Sequence, residues 1–492
     1  MTLDEIWADD LFGRREEAAL LIGYLECVTD RKALGEDGHG YTLAIDAGYG
    51  VGKSFFLRRL ARQLASNHPV AFVDAWADDL ADEPLTALAS TLKNALDPLM
   101  KSSTSLRDKW AGVADKAGKV ALIATKGVAR RALEIALTGG AVEAMGHVVS
   151  GAGEAAGEAM LDRAAGTGEA VVGEALKAFD SVAPGKVMEG RIAQFEQGRK
   201  AIDDMKASLR QLVAELEKTD RSPPIFIIID ELDRCRPTYA VKLLEEIKHL
   251  FDVPGLVFVF GLHGEQLARS VAGAYGPDFD GQAYLRRFIN RRYTLLEPDL
   301  EPLVQLLLDQ AHLTEAQLRF PAVNTDAQGF GHEPPARTIS RYMSAYELSA
   351  REAFRIVDML QTCAGLTKYR PLMMPLLLPL LIGRLLGQPR DRLATPIHDL
   401  VGWTFALEAP TFESTTHMHD FWSLAQKLHA YGKISLSELR RAFDGEQDRA
   451  AVMMFEAITT GEVRHNPLID PRRYAELLER VGRFGNPAQP AP

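Results

Sequence analysis

The sequence predicts an α/β protein: a three-layer sandwich around a parallel sheet, interrupted by a long helical insertion and followed by a helical C-terminal domain. Three observations predict it. Apolar runs near residues 42–46, 70–74, 225–229, 256–261 and 292–296 alternate with helical stretches, the pattern of a parallel sheet covered on both faces. The glycine-dense turn AGYGVGKS at 47–54 joins the first run to a helical one. The run IFIII at 225–229 is apolar without alternation, as in a strand buried on both faces, and it ends in acids.

Taken in order, the first strand is Thr42–Asp46 and the helix after the turn is Lys53–Leu64. Between them, Gly48, Gly50 and Gly52 permit backbone angles that aim successive N–H groups at one point. The turn fits G-x-x-x-x-G-K-[ST], the P-loop, with Ala47 at the first glycine position. Gly48, Tyr49, Gly50, Val51, Gly52, Lys53, Ser54 and Phe55 are therefore expected to surround the phosphates of a nucleotide. Lys53 would reach the β and γ phosphates, and the Ser54 hydroxyl would ligate Mg²⁺. The blander alternative is an ordinary glycine-rich βα turn; the strand before it and the helix after it supply the P-loop context.

Strand two is followed by a gap of about 150 residues before strand three, against about a dozen for an ordinary crossover. An insertion over 98–220 fills it. Residues 111–190 hold 14 of the 40 glycines, yet Arg130, Arg131, Glu134, Glu143, Glu154 and Glu158 interrupt any run near the roughly 20 apolar residues of a membrane span. The first third is basic, with Lys101, Arg107, Lys109, Lys116, Lys119, Lys126, Arg130 and Arg131 against Asp108 and Asp115. Peripheral contact with an anionic membrane surface is one expectation, and simple solvation of those charges is the other. Ile202, Met205, Leu209, Leu212 and Leu216 recur at helical spacing, so residues 194–218 lead back to the sheet as a helix.

The third strand delivers Asp230 at its C-terminal end, where α/β proteins bind ligands. Beside a P-loop, Asp230 is the expected Mg²⁺ ligand, Glu231 the residue that prepares the attacking water, and Asp233 a second acidic candidate. If Asp230 and the P-loop share one metal, their strands are expected to be neighbours. Hydrolysis also needs positive charge at the γ phosphate. Arg286 and Arg287, just before the last strand, are the catalytic candidates, with Arg351, Arg355 and Arg234 as further ones.

The domain assignment is 1–97 and 221–300 for the two halves of the nucleotide-binding core, 98–220 for the insertion and 301–492 for a helical lid. Within the last, residues 370–387 hold only 13 residues between Arg370 and Arg384 and are broken by Pro371, Pro375 and Pro379, which predicts a buried helix rather than a span. Residues 322–340 read as a Gly/Pro-rich loop and 482–492 as a disordered tail. His417 and His419, with no cysteine pair nearby, read as structural or solvated.

The run IIIDELDRC at 227–235 resembles the Walker B region of the KAP family of P-loop NTPases. VAFVDAW at 70–76 is similar to that family's second strand, with Asp74 where an asparagine is usual. Residues 9–25 and 283–299 are similar to the family's entry segment and last core strand, and 349–361 resemble a helix of its lid more loosely. The resemblance covers most of the chain outside 98–220 and implies a Mg²⁺-dependent ATPase, a soluble bacterial member, working in membrane-linked signalling or defence against bacteriophage. His263 stands where the family usually has an aspartate near the γ phosphate, which leaves its role open.

Composition narrows the rest. The chain has 492 residues, 47% of them apolar, and needs no disulfides to hold a core of that size. Three widely spaced cysteines and an acidic N-terminus suggest a cytoplasmic protein. A net charge of −11 speaks against nucleic acid as the main partner. ATP, a protein partner and self-association are the expected interactions. The alternative function is a nucleotide-gated scaffold that binds ATP with little turnover.

Overall fold

The computed structural model describes residues 1–29, 40–81, 83–137, 184–276, 278–320, 323–325, 329–331, 333–389, 392–398, 404–405, 419–445 and 470–484. They form two units: one of residues 1–9, 14–48 and 53–295, the other of residues 10–13, 49–52 and 296 onward.

The first unit is built on five parallel strands, β1 (Tyr41–Asp46), β2 (Val70–Asp74), β3 (Ile225–Asp230), β4 (Leu256–Leu262) and β5 (Arg291–Thr294), in the spatial order β2-β3-β4-β1-β5. Every residue of β3 and β4 is buried, whereas β2 alternates and β5 is largely exposed, as their edge positions require. The expected strands are all present, the last beginning one residue earlier than its apolar pattern suggests.

One expectation fails. β3 is not beside β1; β4 lies between them, in register with both. The sequence could not reveal this, because β3 and β4 are equally apolar and strand order leaves no trace in either.

Helix α1 (Lys53–Leu64) buries Phe56, Leu57, Leu60 and Leu64. These positions make a single stripe at helical spacing. At the start of the insertion, α2 (Pro84–Ser102) stops at Ser103, whose extended backbone breaks the helix and whose hydroxyl accepts from the Leu106 N–H at 3.2 Å. That contact caps α3 (Thr104–Leu137). The return helix α4 (Pro184–Leu216) buries Met205, Leu209, Leu212 and Leu216 in the same core as the sheet, together with Leu106, Trp110 and Val113 of α3. The base of the insertion is thus continuous with the core of the sheet. The glycine-rich stretch at 138–183 lies outside the described residues. Among those described, no helix is long and apolar enough to cross a membrane.

In the second unit, α5 (Pro335–Ala345), α6 (Ala350–Leu366) and α7 (Met374–Leu385) share one core. Met374 to Gly383 is wholly buried, as the broken apolar run predicts. Two tyrosine hydroxyls satisfy backbone groups there: Tyr346 donates to the Ala394 carbonyl, and Tyr474 accepts from the Met373 N–H, both at 2.7 Å. The loop reading of 322–340 needs correction. Val323–Thr325 and Gly329–Gly331 pair as antiparallel strands, and Pro335 opens α5, where proline suits the first helical turn. His419 lies in a short strand paired with Thr404–Phe405, and His417 is outside the described residues. Of the tail, Gly482–Phe484 is a single helical turn, and residues 485–492 lie outside the described set. All three cysteines are free; burial pushes the Cys235 and Cys363 thiols up to about 12.

Candidate nucleotide site

β1 ends at Asp46, and Ala47 turns the chain by donating its N–H to the Leu262 carbonyl of β4 at 3.3 Å. Gly50 and Gly52 take φ of +82° and +90°, in the left-handed region where a side chain would be strained. The loop takes the conformation that its glycines allow. Lys53 donates from Nζ to the Ala47 carbonyl at 3.2 Å. Burial depresses its ammonium pKa, and the nearby Asp233, Asp230 and Asp46 carboxylates counteract that.

β3 carries Asp230 into the interior, 1% exposed. Its Oδ1 accepts from the Glu231 N–H at 2.9 Å, and the Ser54 hydroxyl acts on the same carboxylate, drawing its pKa down. Ser54, in the first turn of α1, thus acts on Asp230 even though β4 lies between β1 and β3. Gly261 of β4 makes this possible: a Cβ there would overlap Leu57 Cδ1 and lie 2.8 Å from Asp230 Oδ1. The intervening strand has no side chain at the place where the two functional groups must pass it.

The second Asp230 oxygen has no hydrogen-bond partner among the described residues, and neither does Oδ1 of Asp233, which is 6% exposed. Burial raises the Asp230 pKa, against the Ser54 and Glu231 hydrogen bonds and the Lys53 charge. Two orphaned oxygens in a buried acidic corner are costly without a cation. A hard divalent ion that uses one or two carboxylates, a hydroxyl and the oxygens of a phosphate fits this donor set. No cluster of three metal-binding side chains exists among the described residues, so protein groups alone do not cage such an ion.

Glu231 has φ +61° and ψ +25°, a left-handed conformation uncommon outside glycine. Its carboxylate, 14% exposed, pairs with Arg234 at 2.8 Å. Burial raises its pKa, and Arg234 opposes the shift. Asp79, after β2, accepts from the Arg236 backbone N–H and from its Nε, each at 2.9 Å, which ties the segment after β3 to the one after β2. Asp74 caps a short helix by accepting from the Ala77 N–H at 3.0 Å, so it can fill the asparagine's place. His263 does the same for the helix Gly264–Tyr275: its Nδ1 accepts from the Gln266 N–H at 3.2 Å.

Lys53, Ser54, Asp230, Glu231 and Asp233 are thereby gathered at the C-terminal ends of the central strands. Arg286 and Arg287 are exposed, and Arg286 lies 3.9 Å from Asp280. Sequence reasoning overlooked Arg292, which reaches Asp46 at 3.2 Å while the Gly264 N–H donates to the other Asp46 oxygen at 2.8 Å. The only signal was an arginine in an edge strand next to β1. It also overlooked Gly261, because nothing in FVFGL at 258–262 says which side chain the glycine must avoid.

A strand, a glycine turn and a buried acidic strand end in this arrangement define a P-loop nucleotide-binding domain. Residues 24–321 match the family model of the KAP family P-loop domain. The chain belongs to the KAP family. Comparison with curated proteins gives no match. Among solved structures, the Aeropyrum pernix ORC2 protein in its ADPNP–ADP complexes is similar at 14% identity, over 97% of this chain and 87% of that one, with a TM-score of 0.30. Its ADP form is similar at 12%, over 98% and 89%, also with a TM-score of 0.30. At that TM-score the likeness carries no argument about this chain.

Proposed function

We propose that this protein is a Mg²⁺-dependent ATP hydrolase whose nucleotide cycle moves its insertion and C-terminal unit. The observation that carries the reading is the meeting of Ser54 and Asp230 past Gly261, with buried carboxylate oxygens left for a cation. Backbone N–H groups of Gly48 to Ser54 and the first turn of α1, Phe55 included, hold the phosphates, and Lys53 neutralises the outer ones. Ser54 and Asp230 hold Mg²⁺, which when bound draws charge from the transferring phosphate. Glu231 orients the attacking water and takes its proton; Asp233 stands behind it as a further acid. Arg286 or Arg287 supplies cationic charge when a second copy or a partner docks. The helical insertion and the 301–492 region would engage that partner, or an anionic membrane surface, in the signalling or anti-phage work that the family resemblance implies.

The Glu231–Arg234 pair favours a second reading, a nucleotide-gated scaffold, because it occupies the base. Single-turnover hydrolysis of ATP with Mg²⁺ separates the two. As an enzyme, the wild type converts bound ATP, and Glu231→Gln binds equally well but turns over at least about 10²-fold more slowly. Tight binding with equal, negligible conversion in both would leave the scaffold.

A further inference from the structure

Arg234 occupies an unusual position for a structural ion-pair partner. It closes a single helical turn after β3, Leu232–Arg234, with its own N–H donating to the Glu231 carbonyl at 3.0 Å. Its guanidinium holds Glu231 at 2.8 Å, lies 5.9 Å from the centre of the Trp76 ring, and its charge is felt at Lys53. One cation therefore stands among the proposed base, the phosphate lysine and an indole that is 57% exposed. The Arg234 side chain is a third exposed, so its bond to Glu231 is partly screened and weak. A triphosphate in the glycine turn would bring more negative charge than one carboxylate, and phosphate oxygens accept a guanidinium through two parallel bonds.

We propose that Arg234 is an exchangeable catalytic arginine: in the nucleotide-free protein it latches Glu231, and an arriving γ phosphate draws it away. The transfer frees the Glu231 carboxylate for water and places a cation supplied by the same chain on the phosphate. Binding is thereby coupled to activation of the base, and the site stays idle while empty. The inference rests on the hydrolase reading for its consequence, but the movement itself does not require turnover.

The test uses the 492-residue chain and two readouts. Trp76 emission, assigned by difference from Trp76→Phe, is followed as Mg²⁺ and the nonhydrolysable analogue ADPNP are added. Single-turnover and steady-state ATP hydrolysis are measured beside it. Wild type is expected to change Trp76 emission on saturation, because the guanidinium leaves the ring. Arg234→Ala is expected to show no such response and a kcat lower by about 10³-fold, since an arginine on the transferring phosphate contributes on the order of 10³ or more. Arg234→Lys, which lacks the fork, is expected to recover little of the rate. A Trp76 signal in wild type that ignores the nucleotide, or an Arg234→Ala protein within threefold of the wild-type kcat, would overturn the proposal. If wild type hydrolyses nothing, the hydrolase reading fails, and the Trp76 response alone decides the movement.

Discussion

Lys53→Ala is expected to weaken ATP binding by at least about 10²-fold, the largest single loss at this site. The lysine is more than a contact to phosphate. It is the ammonium that Asp233, Asp230 and Asp46 all act upon. Without it those carboxylates face the incoming phosphates with no opposing charge from α1's first residue, so attraction is lost and repulsion is gained. A loss of 10²-fold corresponds to about 2.7 kcal/mol, within the range of removing one charge-assisted partner from a buried network. Burial disfavours the lysine's charged form while the three carboxylates favour it, so its removal is expected to weaken ATP binding more than it lowers the melting temperature. Isothermal titration with ATP and Mg²⁺, paired with a thermal melt, checks both halves. Unchanged affinity would remove Lys53 from the phosphate site.

Gly261→Val is expected to abolish Mg²⁺-dependent binding and to destabilise the protein by about 1–3 kcal/mol, the usual cost of overfilling a packed interior. The first carbon of any side chain there would press on Leu57 and on Asp230 Oδ1. Leu57 and Asp230 are themselves buried, so neither can swing aside into solvent. Displacing Asp230 separates it from the Ser54 hydroxyl, which stands on the far side of β4. The signature is a lowered melting temperature together with a loss of the difference in ATP affinity with and without Mg²⁺. A variant that melts lower yet keeps that difference would mean Gly261 serves packing alone.

Much of this architecture was readable from residue pattern. A strand buried on both faces has to be continuously apolar, so β3 and β4 announced themselves, and a phosphate turn has to be glycine-rich, so Gly48 to Ser54 did too. The charged end of β3 was legible beside the P-loop, because acids at the C-terminal end of a buried strand lie where α/β proteins bind ligands. Strand order was not legible. The insertion of β4 between β1 and β3 depends on long-range packing that leaves both apolar patterns unchanged, and the function of Gly261 follows only once that order is known. The pairings of Glu231 with Arg234, Asp46 with Arg292 and Asp79 with Arg236 were equally hidden. The last two join residues far apart in sequence, and the first depends on the left-handed turn at Glu231. His263 shows the limit of resemblance: a histidine in place of an aspartate keeps the capping bond because its ring nitrogen accepts as a carboxylate would.

The central claim is that the turn at 47–54 holds nucleotide phosphates and that Ser54 and Asp230 share one divalent ion. A crystal structure with ADPNP and Mn²⁺, with the metal located by its anomalous scattering, tests it most directly. The expected result is phosphate density against the N–H groups of Gly48 to Ser54 and a single metal peak touching a phosphate oxygen and the Ser54 hydroxyl, with Asp230 bound to it directly or through water. Nucleotide bound elsewhere, or a metal remote from both Ser54 and Asp230, would contradict the account.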